Sequence, residues 1–220
     1  MTGWPFGHLQ MFGYDVIDLD PAWDFELFSE AGEKKSAKAH YDTMSLAEIM
    51  ALPVGQLARR DTLVTLWTCE WMTPGDLQRV LDAWGCVYKT AIIWRKTTRK
   101  GKVRMGPGYR ARTMHERVVI ATYGNPAHKA FPSVFDGVAR EHSRKPEEFY
   151  SLMERCCPKA SKAMLFSRQS RAGWDTWGHE RTKFDAPQPE QKLQGTRASF
   201  VIPDEFGLPA LFDALPEQRR

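Results

Sequence analysis

Apolar positions recur along this chain in two alternating rhythms. Runs rich in branched and aromatic residues, at 14–19 (YDVIDL), 61–67 (DTLVTLW), 87–94 (VYKTAIIW), 117–123 (RVVIATY) and 163–167 (AMLFS), read as five buried strands. Stretches with helical spacing lie between them. Thr73-Pro74 supplies a cap and a first-turn proline, Leu77, Val80, Leu81 and Trp84 follow at i, i+3, i+4 and i+7, and Gly85 closes the helix. Lys145-Pro146-Glu147-Glu148 opens a second helix with Phe149, Leu152, Met153, Cys156 and Cys157 on one stripe. Thr43 or Ser45 caps a shorter helix through Leu52, with Glu48 in capping-box position and Pro53 as the stop.

Alternation of this kind predicts an α/β domain: a mostly parallel, twisted sheet with helices on both faces. Ligands of such sheets bind at the carboxyl ends of the strands. Residues 24–42 mix Gly, Ser, Lys and Glu without apolar period and read as a mobile loop after the first strand. Beyond residue 184 the composition turns to Pro, Gln and charge. The predicted division is a domain over 1–184 and a tail over 185–220, whose apolar cluster LPALFDALP (208–216) is suited to docking.

A length of 220 residues accommodates one domain with a substantial core. With 42% hydrophobic and 26% charged residues the chain is globular in composition, which excludes collagen-like structure and wholesale disorder. No apolar run approaches the roughly 18 residues that cross a bilayer, and residues 1–13 lack the features of a secretion signal. The expectation is a cytoplasmic protein with no membrane partner. Cys69, Cys86, Cys156 and Cys157 have neither metal-ligand spacing nor the density of a disulfide framework, so they read as buried free thiols, and no metal is expected.

The net charge of +4 is informative only when divided. Residues 95–117 hold nine cations against Glu116, a local +8 that leaves the rest of the chain at −4. Arg95, Lys96, Arg99, Lys100, Lys102, Arg104, Arg110 and Arg112 thus form a candidate nucleic-acid surface on a flexible loop, with Tyr109 available for stacking. A plain solvated loop is the competing reading.

Asp20-Pro21-Ala22-Trp23 follows directly on the first strand. It places a carboxylate, a proline-restrained carbonyl and a large aromatic at the sheet rim. These parts suit the 6-amino group of adenine, a poor nucleophile because its lone pair is delocalised into the ring. Two acceptors on its hydrogens favour the localised lone pair while an aromatic stacks on the base. An ordinary Asp-Pro turn beside a core tryptophan is the alternative.

Seven segments in order, DVIDLDPAWDF, YDTMSLAEI, TLVTLWTCEW, CVYKTAIIWRKT, MHERVVIATYGNP, EHSRKPEEFYSLMERCCP and LFSRQSRAGWDTWGHE, resemble the MT-A70 family of S-adenosylmethionine-dependent N6-adenine methyltransferases, over about residues 12–182. The resemblance implies a Rossmann-like class I methyltransferase fold in permuted order, with the catalytic motif ahead of the cofactor motif, in a bacterial or phage-type member. The absence of Gly-x-Gly-x-x-Gly agrees with that order. It implies catalytic roles for Asp20, Pro21 and Trp23, although Ala22 stands where relatives usually carry a second proline.

For S-adenosylmethionine the resemblance implies contacts from Phe166, Arg168, Ser170, Arg171, His179 and Glu180, with His115 toward the cofactor carboxylate and Tyr41 near cofactor and base. Relatives often carry Asn where His179 stands. Asp18 either faces the cofactor or is buried in a hydrogen-bonded turn. The implied activity is methyl transfer to adenine in a polynucleotide, DNA favoured over RNA, with a homodimer or partner subunit as a possible assembly. The alternative is an inactive, methyltransferase-like subunit that binds nucleic acid, with Ala22 as a sign of decay.

Overall fold

The computed structural model describes residues 3–24, 43–70, 72–106, 110–141 and 144–185. Tyr41, Trp71, Tyr109, all but Asp24 of the loop expected over 24–42, and the tail from 186 onward lie outside the described residues. The elements are β1 (Tyr14–Leu19), α1 (Leu46–Met50), β2 (Ala58–Thr68), α2 (Pro74–Trp84), β3 (Val87–Thr97), β4 (His115–Tyr123), β5 (Val134–Val138), α3 (Glu147–Cys156), β6 (Lys162–Leu165) and β7 (Asp175–Trp177).

The strands form one seven-stranded sheet in the order β5-β3-β4-β2-β1-β6-β7. β1 pairs in parallel with β2 and β6, β6 with β7, and β3 with β5, while β4 is antiparallel to both its neighbours. Six strands therefore run one way and β4 alone runs against them. The carboxyl ends of the six and the amino end of β4 share one rim.

Strand alternation sorts the apolar residues into two layers. Ile17, Leu19, Val64, Leu66, Val119, Ala121, Ala163 and Leu165 pack with Leu77, Val80, Leu81 and Trp84 of α2. Val16, Leu63, Trp67, Ile92, Trp94 and Met164 pack with Phe149, Leu152, Met153 and Cys156 of α3 on the other face. Trp67 meets Phe149 edge to face at 4.8 Å and Trp94 at 6.0 Å. This is the Rossmann-like arrangement expected of the sequence.

Local signals set the helix ends. Ser45, rather than Thr43, caps α1 in a complete capping box with Glu48, and the helix stops at Met50, ahead of a 3₁₀ turn over Val54–Gln56. Thr73 caps α2 through a bond from the Asp76 N–H, and Gly85 ends it at φ 76°, a left-handed conformation that favours glycine. Among the cysteines, Cys86, Cys156 and Cys157 are buried and Cys69 is half-buried.

Two strands escape the apolar pattern. β7 has only three residues, and β5 (VFDGV) contains an aspartate and a glycine. Gly137 is required there by close approach: a Cβ would lie 2.7 Å from both Trp94 Nε1 and Pro146 Cβ. The Gly137 carbonyl accepts the Trp94 indole N–H at 2.8 Å. β2 also begins three residues ahead of its expected run, at Ala58, and ends on Thr68, and β3 continues through Arg95, Lys96 and Thr97, because pairing with neighbouring strands continues past the apolar run.

Candidate active site

The loops after β1 and β6 and the turn before α3 meet at the shared rim around a shallow, open cleft. Asp18, Asp20, Lys145, Tyr150, Phe166, Arg168, Ser170 and Arg171 are among its lining residues.

Asp20 stands one residue beyond β1, the strand flanked by β2 and β6. Lys145 reaches it from the turn before α3, with Nζ 2.9 Å from Asp20 Oδ1. The same ammonium lies 3.0 Å from Glu116 Oε2, and Glu116 Oε1 is 2.6 Å from Lys96 Nζ. Glu116 arrives because β4 presents its amino end to the rim. The Lys145 side chain is 10% exposed and those of Asp20 and Glu116 about a quarter exposed. Lys145 Nζ also stands 4.7 Å over the Trp67 ring.

Four alternating charges in a semi-buried row shift one another. Burial pushes the Asp20 carboxyl above the ordinary carboxylate range, and the Lys145 charge recovers only part of that rise. Burial works against the Lys145 ammonium, but Asp20 and Glu116 outweigh it and hold the proton more firmly than usual. Burial likewise opposes the Glu116 charge, and Lys145 and Lys96 together bring its pKa below the usual value. Lys145 is therefore a permanent cation at any physiological pH.

Asp18, fully buried on the α3 side, accepts the Thr65 hydroxyl at 2.6 Å and the Trp67 indole N–H at 3.2 Å. Burial raises its pKa to about 7. Tyr150, on the first turns of α3, is pushed well above its ordinary pKa by burial and by the charges of Asp18 and Asp20, so its hydroxyl keeps its proton.

The Asp-Pro-Ala-Trp turn is held by backbone bonds. Pro21 O accepts the Trp23 N–H at 2.9 Å, Ala22 O accepts the Met44 N–H at 2.8 Å, and Met44 O accepts the Asp24 N–H at 3.0 Å. These ties to Met44 constrain the turn at the position where Ala22 replaces a proline. Trp23 donates its indole N–H to Trp67 O at 3.0 Å. Its ring is partly buried against the α2-side layer and fixed at the rim.

The residues expected at the cofactor are only partly gathered. Phe166 follows β6 at φ 64°, left-handed for a non-glycine residue, and packs edge to face on Trp177 at 5.4 Å. Arg168 pairs with Glu180 at 2.6 Å, and its guanidinium lies over the Phe184 ring. Ser170 is tied to Asp185 through both its N–H and its hydroxyl. Arg171 is held by Glu147 and Glu154 and lies over the Tyr150 ring at 4.5 Å. His115 pairs with Glu70 at 3.1 Å and His179 is exposed; neither lines the cleft.

The basic segment is more ordered than a flexible loop. β3 and β4 form a hairpin whose connection folds back on itself: Thr98 N donates to Lys102 O and Gly101 N to Thr98 O, both at 2.8 Å, with Gly101 at φ 73°. Arg95 forms a bidentate pair with Asp136, Lys96 serves Glu116, Arg104 reaches Ala139 O and Arg112 reaches Gly106 O. Arg99, Lys100 and Lys102 stand exposed at the tip. The formal +8 is thus reduced by Asp136, outside the segment in sequence, and divides into structural cations and a cationic tip.

Lys145, Glu116 and Tyr150 were not singled out by the sequence reading. Lys145 reads there only as the opener of a helix, and Glu116 only as the lone acid of a basic stretch. The available signal was position: a lysine just before a helix that begins at the carboxyl rim of a parallel sheet points its ammonium at the cleft.

Fold and rim together give a Rossmann-like domain with a semi-buried carboxylate, Asp20, on the loop after a central strand. Residues 14–180 match the MT-A70 family, and the chain belongs to it. It is 31% identical over 199 residues to an Arabidopsis thaliana "N(6)-adenosine-methyltransferase MT-A70-like" protein, covering 82% of this chain and 27% of that one. It is 27% identical to the "N6-methyladenosine RNA methyltransferase MTA1" of Cryphonectria parasitica, covering 80% and 54%. To the human "N(6)-adenosine-methyltransferase catalytic subunit METTL3" it is 28% identical, covering 76% and 28%. The chain spans under a third of the plant and human relatives and about half of the fungal one.

S-adenosylmethionine is the methyl donor of this family, and the chemistry of the side chains at the cleft suits it. Cations at Lys145, Arg168 and Arg171 suit a carboxylate, the acid at Asp20 suits an ammonium or a sulfonium, and Met164, Leu165 and Phe166 offer apolar surface to a base. Gly178 lets the loop after β7 close on the loop after β6, since a Cβ there would lie 2.7 Å from Ser167 O.

Proposed function

We propose that this chain methylates the 6-amino group of adenine in RNA. The observation that carries the reading is the Asp20 carboxylate at the carboxyl end of β1, held by the Lys145 ammonium at the edge of the cleft lined by the loops after β1 and β6. Asp20 accepts one hydrogen of the amine through the oxygen that Lys145 leaves available. Pro21 O accepts the other on its second lone pair, the first being used by the Trp23 N–H. The nitrogen lone pair is then localised and aimed at the methyl donor. S-adenosylmethionine supplies a methyl group activated by the positive charge of its sulfonium.

Once the nitrogen is alkylated, its surplus proton passes to Asp20, whose raised pKa makes it a better acceptor than an ordinary carboxylate. Trp23, fixed by its bond to Trp67 O, stacks on the base. The exposed cations Arg99, Lys100 and Lys102 bind the phosphate backbone from the same rim.

RNA is preferred to DNA as the polymer because the relatives are named for adenosine and, in the fungal case, for RNA. The expectation of DNA finds no support in them. A single-stranded acceptor also avoids the few kcal/mol of flipping a base from a duplex.

The test is transfer of labelled methyl from S-adenosylmethionine to adenine-containing RNA and DNA, with nucleoside mass spectrometry to locate it. Label in N6-methyladenosine that disappears in Asp20→Ala supports the proposal. Polynucleotide binding without transfer to any polymer replaces it with the inactive-subunit reading.

A further inference from the structure

Asp18 is a carboxyl where the packing asks for an apolar side chain. Along β1, Val16 and Asp18 face the α3 layer, which is otherwise built from Leu63, Trp67, Phe149 and Met164. A carboxyl in such a layer is costly unless its hydrogen bonds have a use. Thr65 is its lateral partner in the β1–β2 register, so the 2.6 Å bond from that hydroxyl is local. The bond from the Trp67 indole N–H reaches two residues further along β2 and fixes the orientation of a ring.

That ring carries the catalytic rim. Lys145 Nζ stands over its face at 4.7 Å, and the same ammonium binds Asp20 at 2.9 Å. The Trp67 backbone carbonyl holds the Trp23 indole at 3.0 Å. We propose that Asp18 is a positioning residue for methyl transfer: by accepting the Trp67 indole N–H it fixes the ring on which Lys145 rests, and through Lys145 the orientation of Asp20. The inference rests on the methyltransferase reading above. An accepted indole N–H also pushes electron density into the ring and strengthens its hold on the ammonium.

The role requires an acceptor at this point rather than a charge, since a carboxyl of raised pKa is partly protonated near neutrality. Asn offers the same acceptor geometry, and Leu offers the same volume without it. The experiment is steady-state methyl transfer by full-length Asp18→Leu, Asp18→Asn and Trp67→Phe, with S-adenosylmethionine affinity measured separately by calorimetry.

In Asp18→Leu, kcat falls about tenfold or more, while the KM for RNA and the affinity for S-adenosylmethionine move less than threefold. Asp18→Asn recovers most of the loss. Trp67→Phe, which keeps an aromatic ring but loses the N–H together with the rest of the five-membered ring, loses kcat to at least a similar extent, and adding Asp18→Leu to it costs little more. Should Asp18→Leu fail to fold, Trp67→Phe and Asp18→Asn decide the matter. An unchanged kcat in folded Asp18→Leu or in Trp67→Phe overturns the inference, as does an Asn variant as impaired as the Leu one. Wild-type inactivity on every polymer overturns the methyltransferase reading as well, so the two failures are told apart.

Discussion

Lys145 binds Asp20 at 2.9 Å from a turn 125 positions further along the chain, and it binds Glu116 at 3.0 Å with the same ammonium. Two carboxylates that would repel each other across the cleft are joined by one cation. Asp20 is thereby held as a carboxylate of fixed orientation in surroundings that would otherwise favour its protonation.

Replacing Lys145 with Met removes the cation and leaves both acids facing each other. Transfer is expected to fall at least 100-fold, and stability by about 2–4 kcal/mol, less than for a fully buried pair because the acids keep some solvent contact. Lys145→Arg retains most of the stability but little activity, since a planar fork does not reproduce a point donor between two oxygens. Urea denaturation and label transfer measure the two effects.

On the proposed reading, the rate also depends on pH through Asp20. Its carboxylate form would accept the amine hydrogen, and its pKa lies above the ordinary range. Activity therefore rises with pH through that raised value and then levels off. A kcat profile whose acid limb sits at or below pH 4 would falsify this placement of Asp20.

Asp18 leaves a signature in stability. Its pKa is about 7 when folded against about 4 in an unfolded chain. The folded state binds the extra proton between these values, so the stability contribution is complete below about pH 4 and is lost as pH rises to about 7. Asp18→Asn has no such dependence. The variant is expected to gain on the wild type by roughly 1–4 kcal/mol between pH 4 and pH 7.5, read from denaturation midpoints at the two pH values.

At the hairpin tip, changing Arg99, Lys100 and Lys102 together to Gln removes three phosphate contacts. RNA affinity falls, and the slope of log K against log salt drops by about 0.7 per contact, or about 2 in all. Transfer at saturating RNA stays within about twofold, because the tip cations do not touch Asp20 or Lys145. Affinity titrations at several salt concentrations supply the slope, and an unaltered slope would remove the tip from the interface.

Gly137→Ala tests packing behind the site. The added methyl meets the Trp94 indole nitrogen and Pro146 at 2.7 Å, and Pro146 is the N-cap of α3 next to Lys145. Stability should fall by about 1–3 kcal/mol through overpacking, with a parallel loss of transfer as the turn holding Lys145 shifts.

Five of the seven strands, both long helices and the place of the Asp-Pro-Ala-Trp turn were legible because each rests on local chemistry: branched runs, a Thr-Pro cap, a glycine stop. β5 and β7 were not, since β5 carries Asp136 and Gly137 within its five residues and β7 has only three, and both are held by neighbours rather than by their own apolar pattern. Asp20 was visible through its motif. Lys145 and Glu116 were invisible as a pair because 29 residues separate them in sequence, and only the reversal of β4 brings Glu116 to the rim. The basic segment was visible as charge, but its division into structural and exposed cations depends on Asp136 across the β3–β5 pair.

That reversed strand has a wider consequence. Since β4 returns directly from β3 without an intervening helix, the chain reaches the reactive rim twice in succession, and the described part of the connection is tied only to the ends of the neighbouring strands, through Val103 to Thr97 and Arg104 to Lys96. Glu116 is anchored by the ladder, whereas the hairpin beyond it can lengthen, shorten or change its charge without disturbing the acid. On the proposed reading, choice of target and chemical competence thus occupy separable parts of one continuous ribbon, and the first can drift or be redesigned while the second stays fixed.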